Sequence, residues 1–85
     1  MKIFETSKFK RLRKKIKEEA EREALKEAVL RIVGDPLVGK KLRGEFRDLR
    51  SYRYFVKGQE RRLIYKYEGG NLYLLSFGPR EGVYR

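Results

Sequence analysis

The chain has 85 residues, 23 Lys and Arg against 12 Asp and Glu, a formal net charge of +11, and no Cys or His. That length supports one core with a small stability margin, so residues 1–85 are expected to form a single domain with no room for separate cofactor and substrate domains. The missing residue types exclude disulfides, thiolate nucleophiles, zinc–thiolate centres and imidazole bases, and no apolar run approaches the ~18 residues of a membrane span or reads as a signal peptide, so a cytoplasmic location is expected.

In chain order, Lys2 to Glu5 reads as a short strand, after which Thr6 or Ser7 offers a helix N-cap. From there to Val33 no Gly or Pro intervenes and helix formers are dense. Phe9, Leu12, Ile16 and Ala20 fall on one helical stripe, and Leu25, Ala28, Val29 and Ile32 on another rotated by roughly 150°. One straight helix cannot press both stripes onto one sheet. The pattern predicts a helical hairpin broken within Lys17 to Glu23, with Gly34 as C-cap and Pro36 preventing continuation.

The second half alternates as strands. Ser51 to Lys57, Glu60 to Tyr67 and Asn71 to Phe77 are separated by turns at Gly58-Gln59 and Gly69-Gly70, which predicts an antiparallel meander. A first turn centred on Gly58-Gln59 sets Phe55 opposite Arg62 and Arg53 opposite Ile64. Arg53, Phe55, Lys57 and Arg62 then share one face, while Tyr52, Tyr54, Val56, Leu63 and Tyr65 face a helix-covered core. The first face also carries Leu75 and Phe77, so either something covers it or the register slips by one. The fold class expected is α+β: an N-terminal strand and helical hairpin packed on an antiparallel β-meander.

Charge is uneven. Residues 1–17 hold eight basic and one acidic residue, residues 18–34 three and five, and residues 35–85 twelve and six, so two basic regions flank an acidic-leaning middle. A net field this positive draws polyanions: nucleic acid, an acidic protein or an anionic membrane surface. Abundant Lys, Arg and Glu with a single Asn and a single Gln is also the composition of thermophile proteins.

Three constellations stand out. The run Lys8, Lys10, Arg11, Arg13, Lys14, Lys15 and Lys17 fans around the helix side opposite Phe9, Leu12 and Ile16. It is either a solvated face or a phosphate-contacting one, and only Glu5 offsets it. Arg50, Arg53, Lys57 and Arg62 interleave with Tyr and Phe, as RNA phosphates and unstacked bases require, or else keep an outer sheet face soluble. In the last segment Gly78-Pro79 redirects the chain and Arg80 and Tyr84 follow.

Leu42-Arg43-Gly44, Tyr52-Arg53-Tyr54, Arg62-Leu63-Ile64-Tyr65, Gly78-Pro79-Arg80-Glu81 and Val83-Tyr84, in this order and spacing, resemble the RelE/ParE toxin superfamily over nearly the whole chain. The Arg-Leu-Ile-Tyr strand and the terminal Arg-Glu-x-x-Tyr lean toward its RelE-like branch, the mRNA interferases of type II toxin–antitoxin pairs. The resemblance implies a metal-independent endoribonuclease that cuts mRNA on the ribosome, needs no cofactor, and is held by a small acidic antitoxin. The alternatives are a ParE-like gyrase inhibitor or a non-catalytic RNA-binding module.

Residue by residue, the resemblance implies that Arg53 matches a family Lys or Arg on the first meander strand. Arg62 matches the Arg that stabilises phosphate charge, and Arg80 the Arg at the leaving group. Tyr84 matches a Tyr that stacks on or helps activate the nucleotide. Lys8, Lys10, Arg13, Arg50 and Lys57 are expected to contact RNA, of the ribosome or the message. Phe55 stands where some members carry a Lys as base, and Lys57 is its candidate substitute. The implied reaction is in-line attack by a ribose 2′-OH, giving a 2′,3′-cyclic phosphate and a 5′-OH, with guanidinium groups stabilising the phosphorane. Lacking His, such an enzyme needs a partner that orients the RNA, and the ribosome fills that role.

Overall fold

A computed structural model describes residues 1–79. Strand β1 (Ile3–Glu5) leads into helix α1 (Ser7–Lys14) and helix α2 (Glu19–Gly34). After a loop come the two-residue strand β2 (Lys40–Lys41), a 3-10 turn over Gly44–Phe46, and strands β3 (Arg50–Val56), β4 (Gln59–Glu68) and β5 (Asn71–Pro79). The sheet order is β1-β5-β4-β3-β2, antiparallel throughout except that β1 runs parallel to β5. The α+β class, the hairpin and the meander match the expectation from sequence.

Thr6 is the N-cap of α1: its hydroxyl oxygen accepts from the Phe9 amide at 3.1 Å and donates to the Leu75 carbonyl at 2.8 Å. One side chain thereby starts the helix and fixes it to β5. The helical break lies at Lys15 to Glu18, overlapping the expected window Lys17 to Glu23 at its start, and it closes sooner because α2 is already helical from Glu19. Ile16 is buried in the linker itself, and Ala20 is exposed, so the first stripe ends one turn sooner than its spacing suggested. At the far end Gly34 is the last helical residue rather than a left-handed cap. Asp35 ends the helix with a non-helical backbone (φ −149°, ψ 89°), and its carboxylate accepts from the Leu37 amide at 3.2 Å.

The core forms between the two helices and one sheet face. It contains Phe9, Leu25, Ala28 and Ile32 against Tyr54, Val56, Leu63, Tyr65, Leu72, Leu74 and Phe77. Burying this apolar surface is the main stabilising term. The core-facing set expected for β3 and β4 is correct, with Tyr52 partly buried at its edge. The register is not. The tight turn is Lys57-Gly58, both at positive φ (49° and 81°), so Arg53 lies opposite Arg62 and Phe55 opposite Glu60. The hairpin is two residues off the expected pairing, an even shift that leaves every face unchanged.

Leu75 and Phe77 do not share a face. Ile64 pairs with Ser76 and Tyr65 with Leu74, so Leu75 is an extra residue, a β-bulge. Beyond it the alternation flips, and Phe77 joins the core with its ring 5.2 Å from Phe9, edge-on. The second face is also covered in part. Ile64 is buried outside the main core, bordering a hollow with Phe46 and Leu49 of the segment before β3.

Candidate functional site

The open part of the second sheet face, away from the helices, carries the candidate site. Arg53 and Arg62 are direct cross-strand partners there. Two like charges so placed repel. Glu60 on β4 offsets them: Arg62 Nε donates to one carboxylate oxygen at 3.0 Å, and Arg53 Nη1 lies 3.9 Å from the other. The Arg53 guanidinium also lies 5.9 Å from the centroid of the Phe55 ring, within cation–π range. The Arg62 side chain is 20% exposed and the Arg53 side chain 60%, so the first is held while the second reaches into solvent.

Beside this pair is an open concavity of about 450 Å³ lined by Val38, Lys40, Ser51, Tyr52, Arg53 and Arg62. Ser51 is buried, and its hydroxyl has no hydrogen-bond partner. Lys40 was not singled out in the sequence analysis. It arrives on β2, two residues long and so without any alternation to read, and is paired with Ser51. The concavity thus gathers three cationic side chains from three strands, an arrangement that binds and polarises an anion.

The remaining expected residues are distributed elsewhere. Arg50 lies on the opposite side of β3 from Arg53, and its guanidinium donates to the Gly39 carbonyl at 2.9 Å. Lys57 leaves the strand alternation at the positive-φ turn, and its ammonium meets Glu18 at 2.6 Å. That hydrogen bond pushes the Lys57 pKa up and holds the amine in its protonated form, so its free base is less available. It therefore does not join the arginines as a substitute for the missing Lys at position 55. Arg13 forms a two-pronged pair with Glu5. Lys10, with Arg11, Lys14 and Lys15, lines a separate hollow of about 400 Å³ on the outer side of α1. Lys8 lies on the other flank, bordering the hollow formed by Phe46 and Leu49. Arg80 and Tyr84 lie outside the described residues. No helix among the described residues is long and apolar enough to cross a membrane.

Comparison with known proteins agrees with this architecture. Residues 3–85 match the family model described as the ParE-like toxin of type II bacterial toxin–antitoxin systems. The fold is similar to that of a chain in the crystal structure of the intact E. coli RelBE toxin–antitoxin complex, with a TM-score of 0.72 and 16% identity over 92% of this chain and 94% of that one. No curated protein matches the chain.

Proposed function

The chain belongs to the ParE-like toxin family of type II bacterial toxin–antitoxin systems, and from that premise we propose that it is a metal-independent endoribonuclease that cuts mRNA on the ribosome and arrests translation. The observation that supports this reading is the Arg53–Arg62 pair on an open sheet face beside a cationic concavity. Two guanidiniums across one strand gap can grip a phosphodiester and stabilise the charge that builds as a 2′-OH attacks it. Arg80 and Tyr84 are proposed to complete the site, at the leaving oxygen and on the nucleotide. The net charge of +11 draws the protein to ribosomal RNA and toward an acidic antitoxin.

A second reading, a ParE-like gyrase inhibitor, is favoured by the family description and by Phe55, an aromatic where a basic residue would aid proton transfer. Primer extension on ribosome-bound mRNA after induction separates the two. The unaltered protein should produce new mRNA ends. Arg53→Ala, Arg62→Ala and Arg80→Ala should each lower cleavage by ~10²–10³, the usual cost of one charge-stabilising donor, and Tyr84→Ala should lower it as well. Growth arrest with intact mRNA and damaged DNA overturns the ribonuclease reading in favour of gyrase.

A further inference from the structure

Glu60 is the one carboxylate among the described residues that touches both Arg53 and Arg62, and it meets them with different oxygens. Those two arginines are also its only hydrogen-bond or ion-pair partners among the described residues. A carboxylate and a phosphodiester present the same fork of two anionic oxygens to guanidinium groups. Resting on the RNA reading above, we propose that Glu60 is an internal stand-in for the substrate phosphate, which nucleic acid must displace from between Arg53 and Arg62 in order to bind.

The geometry suits displacement. The contact to Arg62 is a hydrogen bond at 3.0 Å, while that to Arg53 is an ion pair at 3.9 Å on a side chain 60% exposed. The seat therefore opens from the Arg53 side. Once displaced, the Glu60 carboxylate loses no third partner among the described residues and can turn to water. While it is in place, it keeps two like-charged arginines close together across the hairpin, already positioned for a phosphate. Other carboxylates of the chain are engaged away from this face: Glu5 with Arg13, and Glu18 with Lys57.

The test is binding of a labelled single-stranded 2′-O-methyl RNA, which has no free 2′-OH and cannot be cleaved, followed by fluorescence anisotropy. Glu60→Gln keeps the side-chain shape and removes the charge. Glu27→Gln removes the same charge from exposed α2, on the helix-covered side of the sheet, and controls for net charge. Releasing a part-buried ion pair that opens on the exposed Arg53 side should tighten binding about two- to five-fold for Glu60→Gln and clearly less for Glu27→Gln. In an Arg62→Ala background the gain from Glu60→Gln should largely disappear. Equal gains from the two Gln variants, weaker binding by Glu60→Gln, or a gain that persists without Arg62 overturns the inference alone. If neither the unaltered protein nor any variant binds the oligonucleotide, the inference fails, while primer extension on ribosome-bound mRNA decides the RNA reading separately.

Discussion

Gly39 and Tyr65 interlock. The Gly39 amide donates to the Tyr65 hydroxyl at 2.8 Å, and that hydroxyl donates to the Pro36 carbonyl at 2.7 Å. Burial pushes the phenol pKa up, so the proton that bonds Pro36 stays in place. Arg50 adds a donor to the Gly39 carbonyl from the neighbouring strand. The loop after α2 is thereby fixed to β3 and β4, and β2 follows at once, carrying Lys40 to the candidate site.

The close approach leaves no room at position 39. A Cβ there would lie 2.7 Å from the Tyr65 ring and hydroxyl. Gly39→Ala should destabilise by ~1–3 kcal/mol, the usual cost of overpacking. Gly34→Ala is the contrast, since a Cβ at the end of α2 meets nothing within 4 Å. It should be neutral or stabilising by up to ~1 kcal/mol. Urea unfolding of the two variants checks the pair.

Thr6 holds two elements with one hydroxyl. Thr6→Val keeps the shape but removes both the cap on α1 and the donor to the bulge carbonyl of Leu75. The expected loss is ~1–2 kcal/mol. Hydrogen exchange should show the larger rise at the start of α1 and around Leu75 rather than in the β3–β4 hairpin.

Acid should loosen the N-terminal segment. The hydrogen bond from Arg13 is the main cause that holds the Glu5 carboxyl below its ordinary 4.5. A lowered carboxyl pKa stabilises the fold above the ordinary value, and that contribution disappears as pH falls through the lowered one. Both side chains are partly exposed (43% and 28%), so the pair contributes only ~0.2–1 kcal/mol. Unfolding at about pH 7 should show the unaltered protein ahead of Glu5→Gln by that amount, and at about pH 3 the two should converge. A gap that widens in acid contradicts the assignment.

Phe55→Lys probes the missing basic group. Position 55 pairs directly with Glu60, so the introduced ammonium would draw that carboxylate away from Arg53 and Arg62. It would also place an amine on the face where the family resemblance expects one. Cleavage of ribosome-bound mRNA should rise relative to the unaltered protein, read by primer extension. Unchanged cleavage would show that neither Glu60 nor the absent amine limits the reaction.

Much of the sheet was legible because alternation alone assigns faces: Tyr54, Val56, Leu63 and Tyr65 point inward as the pattern requires. The register was not, because Lys57 adopts a positive φ of 49°, a conformation that sequence reasoning reserves for Gly or Asn. The Leu75 bulge carries no Gly or Pro to announce it, so Phe77 could not be moved to the core beforehand. At the site, Arg53 and Arg62 were found by composition and spacing. Their bridging by Glu60 depends on the true pairing, and Lys40 depends on a strand too short to show a period. Arg50 could not be separated from them by charge alone, since its role comes from the carbonyls it meets across the loop.

The parallel pairing of β1 with β5 bears on the order of synthesis. Ile3 has its partner in Leu72, and the Thr6 amide in the Leu74 carbonyl at 3.0 Å. Until β5 has been made, β1 has nothing to pair with and α1 lacks its main docking strand, so only the local β3–β4 hairpin and the helices can form early. The complete sheet assembles after β5 has emerged. A chain built this way cannot close its sheet until β5 is available, so its first strand and first helix wait on the segment made last among the described residues.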